Sequence, residues 1–164
     1  GGEKKSRPKR IQAAKLSKKI IDSIQSYEKN AKIILMGDLN DDPVSSSVKD
    51  FLKAVGDISS ISENNLFNCM YEKYKKGIGS LAYRDNWNLF DQFIVSPPLI
   101  SIGDDYSTFK FLSSTVYNKS YLKQKEGNFS GYPFRTYVGS NFMGGYSDHF
   151  PVYIYLVREK NNDE

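Results

Sequence analysis

Residue types suited to acid–base and phosphate chemistry fall in three short segments of this 164-residue chain. The only histidine, His149, stands in Ser147-Asp148-His149. It is the one side chain whose unperturbed pKa lies near neutrality. Far upstream the apolar run Ile33-Ile34-Leu35-Met36 ends in Gly37-Asp38-Leu39-Asn40. Asp38 and Asn40 sit at i and i+2, so an extended backbone presents both to one small target. A carboxylate can orient or deprotonate water, and an amide can stabilise charge on a phosphoryl oxygen. The same residues also suit an Asp/Asn turn that starts a helix. Asp91 lies between Leu89-Phe90 and Phe93-Ile94-Val95. A carboxylate in so apolar a run needs a partner, because burying it unpaired is costly. His149 is the natural one, since an Asp–His pair fixes the tautomer and favours the charged ring. The competing reading is a strand-end Asp facing solvent.

Two other chemistries are excluded. Ser147-Asp148-His149 cannot be a serine-hydrolase triad, because three consecutive side chains cannot form its linear relay. Asp148 can instead contact a cation, with His149 on a phosphate. Asp38-x-Asn40-x-Asp42 fails as a calcium loop, since Pro43 takes the glycine position and Lys49 that of the bidentate glutamate. Arg135 precedes the Asp-His pair closely and suits either phosphate recognition or loop pinning. Tyr132, Tyr137, Phe142 and Tyr146 share that region, with loop packing or stacking as their alternatives.

The elements that must position these residues read as mixed helix and strand. Ser6-Arg7-Pro8 has the form of a helix start, with Ser6 as cap and Pro8 in the first turn. Ile11, Ala14, Leu16, Ile20, Ile21 and Ile24 supply an apolar stripe, and the helix is expected to end near Asn30. Lys32 to Met36 reads as a buried strand and Gly37 to Asp42 as a loop. Asp42-Pro43 opens a second expected helix through Val48, Phe51, Leu52 and Val55, and Leu66 to Tyr74 a third. Leu81 to Arg84, an Asp85-Asn86 turn, and Trp87 to Val95 form an expected β-hairpin. Phe109 to Val116 and Val152 to Val157 read as strands. Lys123 to Gly145 reads as a long ordered loop, a type that is usually functional. Glu159 to Glu164 are expected to fray.

The net charge is +4. Eight basic residues lie within the first nineteen: Lys4, Lys5, Arg7, Lys9, Arg10, Lys15, Lys18 and Lys19. They make either a phosphate-attracting face or the wet side of a helix, with Arg7 and Arg10 the better phosphate candidates. A single cysteine, Cys69, excludes an internal disulfide framework and a cysteine-based zinc site. No run approaches the roughly 20 apolar residues of a membrane span. The chain opens on Gly1, so the sequence leaves localisation open.

Three motifs in order carry a resemblance: Ile-Ile-Leu-Met-Gly-Asp-Leu-Asn, then Trp87-Asn88-Leu89-Phe90-Asp91-Gln92, then Gly145-Tyr146-Ser147-Asp148-His149-Phe150-Pro151-Val152. Together they resemble the endonuclease/exonuclease/phosphatase family, with its deoxyribonuclease I-like fold. Gly1 to Ala14 further resembles the segment after a central Asn-His motif in bacterial members. The resemblance implies an α/β fold: the C-terminal half of a four-layer sandwich with two packed, mainly antiparallel sheets. Residues 1–164 would then be a single partial domain. The family's metal-binding glutamate, early asparagine and central Asn-His would lie upstream. A sheet face would be exposed, or covered by the missing half or by another chain.

The resemblance also implies a metal-dependent phosphoester hydrolase, nuclease-like, in which water attacks phosphorus. Asp38 would orient or deprotonate that water and Asn40 would hold a phosphate oxygen. Asp91 would orient His149, and His149 would contact the scissile phosphate. Asp148 would help hold Mg²⁺, or Mn²⁺ in its place. Arg10 and Arg135 join Asn40 and His149 as expected substrate contacts. The family cleaves DNA, RNA, inositol phosphates and sphingomyelin, so nucleic acid is one expected partner. A phosphomonoesterase, a lipid phosphodiesterase and a non-catalytic binding module with the same fold are the alternatives.

Overall fold

The computed structural model describes residues 3–101, 103 and 105–160. It opens with helix α1 (Glu3–Tyr27) and strand β1 (Ile34–Asp38). A π-helical turn (Ser47–Phe51), β2 (Ala54–Val55), β3 (Leu66–Asn68) and α2 (Tyr71–Lys75) follow. Next come β4 (Leu81–Tyr83), β5 (Asn86–Asn88), β6 (Asp91–Val95) and β7 (Lys110–Val116). β8 (Tyr137–Val138), β9 (Asn141–Phe142) and β10 (Val152–Val157) complete the chain. The main sheet runs β1-β6-β3-β2, and β10 pairs antiparallel with β7 in a second sheet.

Strand alternation sorts side chains onto two faces. Leu35, Leu66 and Ile94 turn to one face, where Ile21 of α1 and Val48 and Leu52 of the π turn meet them. Phe67, Phe93 and Val95 turn to the other, against Phe111, Ile154 and Leu156 of the second sheet. The described residues thus stack as helix, sheet and sheet. The expected mixed α/β architecture with packed, mainly antiparallel sheets is what the chain adopts.

Several local expectations are corrected. α1 already includes Glu3, so Ser6 is not its cap and Pro8 lies inside it. The Ser6 hydroxyl instead accepts from Arg10, one turn on. The packed face of α1 is narrow: Ile21 is buried, while Leu16, Ile20 and Ile24 of the expected stripe are exposed. β1 is not buried. It is the edge strand, and Ile34 and Met36 are 40% and 68% exposed. The second expected helix shrinks to the π turn, because Lys53 takes a left-handed φ of 60° and β2 follows at once. Leu66 to Tyr74 divides into β3 and α2, since three consecutive buried residues there pair with β2 and β6: Leu66 and Phe67 with β2, Phe67 and Asn68 with β6. The hairpin turn keeps two residues but sits one position earlier than expected, at Arg84-Asp85. Arg84 and Asp85 take φ of 50° and 61°, the paired left-handed form of a type I′ turn. The strand then breaks at Leu89-Phe90, and β6 leaves for the main sheet. The β7 and β10 spans match expectation within a residue. Of the tail expected to fray, residues 161–164 lie outside those described, and the Glu159 amide donates to the Tyr106 carbonyl.

A buried polar relay crosses the helix-facing side of the main sheet. The Gln92 amide donates to the Asp41 carbonyl at 2.5 Å and accepts from the Asn68 amide at 2.7 Å. Asn68 in turn accepts from the Met70 amide at 3.0 Å. Gln92 is fully buried, so removing its amide strands two polar groups out of water. Such an orphaned group costs about 1–3 kcal/mol. Gln92→Leu is therefore expected to lower unfolding free energy by that order in urea denaturation, and to loosen the 38–42 loop.

Candidate active site

Asp38 ends β1 and Asp91 begins β6, and the two are direct cross-strand partners. They share a face with Met36, Phe93 and Val95; the second sheet covers that face at Phe93 and Val95 and leaves it open at Met36 and Asp38, which are exposed. Opposed residues in such a pair hold their Cβ atoms about 4.5–5.5 Å apart, and like charges there repel. His149 meets this pair from the loop just before β10. Its Nδ1 lies 2.6 Å from Asp91 Oδ2. Both side chains are about one-fifth exposed. Nδ1 is committed to Asp91, which leaves Nε2 for an incoming group.

The chain around these residues fixes them. Phe150, next to His149, is buried with Met70, Leu89 and Val116, and its ring stacks on Trp87 at 6.0 Å and 12°. Burying a side chain of that size stabilises by roughly 1.5–3 kcal/mol. The Phe150 amide donates to the Ser80 carbonyl at 2.7 Å, while the Ser80 hydroxyl donates to Asp91 Oδ2 at 2.5 Å. One buried serine therefore holds both the strand bearing His149 and the carboxylate that orients it. The Ser147 hydroxyl accepts from the His149 amide at 3.1 Å, and the Tyr146 amide donates to the Phe134 carbonyl at 2.8 Å.

The Asp38 loop is fixed as firmly. The Leu39 amide donates to the Phe90 carbonyl at 2.9 Å, and the Leu89 amide donates to Asp42 Oδ1 at 2.7 Å. Asp38 Oδ1 accepts from the Asn40 amide at 2.8 Å, so the Asx turn and the carboxylate site coexist. Asn40 takes a left-handed φ of 51°. Both residues line a cavity of about 530 Å³ between β1 and α1, with Lys9 and Arg10 on its far wall. Arg10 is engaged there: its Nε donates to Asp41 Oδ2 at 2.7 Å, which also accepts from Ser47 at 2.5 Å. Its guanidinium thus braces the loop that carries Asp38. Arg7 donates to the Ser46 hydroxyl at 2.9 Å. Arg135 lines a different cavity, which shares no wall residue with the first. Asp148 is exposed.

Ser80, Asp41, Asp42 and Gln92 have no signature in the sequence that sets them apart from ordinary polar residues. The one hint is Gln92 between apolar neighbours in Asp91 to Val95, where an uncharged amide at a core position demands partners. Cys69 carries no chemistry here, because burial pushes its thiol up to about 12.

A model of the Endonuclease/Exonuclease/phosphatase family matches residues 1–158. The chain belongs to that family. Comparison with curated proteins and with solved structures gave no significant match. Members of the family are generally hydrolases of phosphoesters, and they commonly use divalent metals. Among the described residues, no three His, Cys, Asp or Glu side chains are grouped to hold a cation. Asp148 offers a single carboxylate, so these residues do not by themselves make a metal site.

The Asp–His pair has a defined electrostatic bias. The hydrogen bond to Asp91 raises the His149 pKa; burial opposes it, and the charges of Asp91, Asp38 and Asp148 add to the rise. For Asp91 burial pushes the pKa up, but the bonds from His149 and Ser80 outweigh it and the net shift is downward. Stability from His149 is therefore full below about pH 6.5 and fades as pH rises through its higher folded value. Stability from Asp91 is present above about pH 3.9 and fades as pH falls through its lower folded value. An NMR titration of the single imidazole is expected to place its pKa above the ordinary value, and Asp91→Asn to bring it down. The stability lost in Asp91→Asn is expected to be greatest between about pH 4 and 6.5 and to shrink above the folded His149 pKa.

Proposed function

We propose that this chain carries the water-activating and phosphate-contacting side of a phosphoester hydrolase, nuclease-like in its chemistry. The observation that supports this best is the cross-strand pair Asp38–Asp91 with His149 held on Asp91 at 2.6 Å. Asp38 is the group that accepts a proton from water as its oxygen attacks phosphorus. His149, biased to its charged form, presents Nε2 to the phosphate and gives its proton to the departing ester oxygen as the P–O bond breaks. Asp91 stabilises the imidazolium and fixes its direction, as buried carboxylates do for catalytic histidines. Asn40 holds a non-bridging phosphate oxygen with its side-chain amide, and Arg135 adds positive charge on the substrate side, while Arg10, paired with Asp41, acts by bracing the Asp38 loop. The cation of this reading is Mg²⁺, with Mn²⁺ able to replace it. Asp148 would supply one of its ligands, and the other donors would come from outside the described residues. Bound there, it would neutralise charge on the phosphate.

Residues 1–164 form a single partial domain in this reading. The edge of β1, with Ile34 and Met36 exposed beside it, is the natural seat of its other half or of another chain. The outward stripe Leu16, Ile20, Ile24 and Tyr27 on α1 supports the same conclusion, since a wet helix face rarely carries large apolar residues at i, i+4, i+8 and i+11. Substrate class follows from charge: +4 suits a polyanion, with nucleic acid ahead of a phosphomonoester or a lipid phosphodiester.

A second reading, a binding module that keeps the fold without turnover, draws on the missing three-ligand cluster among the described residues. Hydrolysis assays on the full-length gene product separate the two. DNA, RNA, a phosphoinositide and sphingomyelin are tested with Mg²⁺ and with EDTA. The hydrolase reading expects one class to be cleaved, EDTA to abolish cleavage, and His149→Ala or Asp38→Asn to cost at least about 10²-fold in turnover. A loss under about tenfold overturns the assignment of these residues. Metal-dependent affinity without cleavage of any substrate favours the binding module.

A further inference from the structure

A second cavity, of about 280 Å³, opens beside the β4–β5 hairpin and is built mainly by the segment after Lys123. Tyr83, Phe129, Tyr132 and Met143 supply much of its apolar wall, and Arg84 and Arg135 supply two guanidinium groups. Among the described residues no carboxylate lines it. Arg135 is half-buried, and no hydrogen bond or ion pair with a described residue holds its side chain. Arg84, exposed on the turn, lies over the face of Tyr83, 5.2 Å from the ring centroid. A half-buried cation against apolar walls loses hydration without compensation, and an anion restores it. The walls are also ordered without a ligand. The Tyr132 hydroxyl donates to Asp85 at 2.5 Å, and its ring packs on Phe129 at 5.6 Å and on Trp87 at 5.7 Å. A concave, mostly apolar, pre-formed site with a few convergent polar groups is the usual form of a small-ligand site.

We infer that this cavity binds a phosphate bearing a flat aromatic group, such as a nucleoside monophosphate unit. Arg84 and Arg135 take the phosphate, and Phe129 and Tyr132 take the ring. Arg suits the task because its planar fork pairs with phosphate through two parallel bonds. Tyrosine and phenylalanine faces accept any base by stacking. The site deepens the hydrolase reading by assigning the part of the substrate remote from the scissile bond. It rests on that reading only in calling the ligand part of a substrate. The Phe134 carbonyl, next to Arg135, accepts from the Tyr146 amide, and the Thr136 hydroxyl donates to the Tyr146 carbonyl. The cavity wall is thereby tied directly to the loop that leads into His149.

Trp87 is the only tryptophan, and its ring touches a wall residue, so its emission reports occupancy without any turnover. Adenosine 5′-monophosphate, adenosine, inorganic phosphate and dihexanoyl phosphatidic acid are titrated separately, with excitation at the tryptophan edge. The nucleotide is expected to shift Trp87 emission saturably, at concentrations at least about tenfold below those of adenosine or phosphate alone. Arg135→Met is expected to weaken nucleotide binding about tenfold or more, the loss of one charge-assisted pair. Arg84→Met, on the exposed turn, is expected to act in the same direction. His149→Ala is expected to leave binding within about twofold, which separates this site from the catalytic pair. No saturable change with the nucleotide overturns the inference. So do retention of full affinity in both arginine variants and tighter binding of the lipid anion than of the nucleotide. Hydrolysis can fail while this binding holds, and the reverse, so the two proposals stand or fall separately.

Discussion

Two carboxylates stand opposite one another at the end of an antiparallel strand pair, and one of them holds the chain's single imidazole. Asp38 and Asp91 are set opposite by the register that also pairs Ile34 with Val95 and Leu35 with Ile94. A hydrophobic strand pairing thus sets where the two carboxylates stand. His149 places a partial or full positive charge against Asp91. The same act tunes the imidazole towards its charged form.

Such an arrangement persists only if its neighbours cannot relax. Ser80 joins Asp91 to the backbone of Phe150, and Phe150 is locked in a buried cluster under Trp87. On the other side of the sheet Gln92 reaches the Asp41 carbonyl, while Arg10 and Ser47 meet the Asp41 carboxylate. The Asp38 loop is therefore held from α1, from the π turn and from the Leu89-Phe90 break at once. Alternate residues of a single strand serve both systems: Asp91 faces the chemistry and Gln92 faces the brace. A one-residue slip in register would exchange them, which is why the apolar residues that fix the register matter to the site.

How much was legible in the sequence follows from the range of each signal. Asp38, Asn40, Asp91, Asp148 and His149 stand out because their types are rare in their surroundings, and the Asp91–His149 contact is present at hydrogen-bond distance. The β7 and β10 strands were legible from period-two patterning. The two short helices were not. Their apolar spacing suited a helix, but strand pairing with β2 and β6 claimed Leu66 to Asn68, and a left-handed Lys53 stopped the other. The exposure of β1 and of Leu16, Ile20 and Ile24 was likewise hidden, because apolar patterning tells which face wants burial and not whether anything covers it. Arg10 reads as a phosphate contact until its partner Asp41 is seen, since a basic residue near a site looks the same whether it binds a ligand or braces a loop. Ser80 was invisible, as one serine among many.

The most direct test is a double-mutant cycle on turnover of the full-length protein, using Asp38→Asn, His149→Ala and the pair together. If the two residues act as one proton-transfer unit on the same phosphate, the double variant should be about as slow as the slower single variant, because losing either part already disables the unit. If the losses multiply, the two residues act independently, and the picture of Asp38, Asp91 and His149 as a single catalytic centre is wrong.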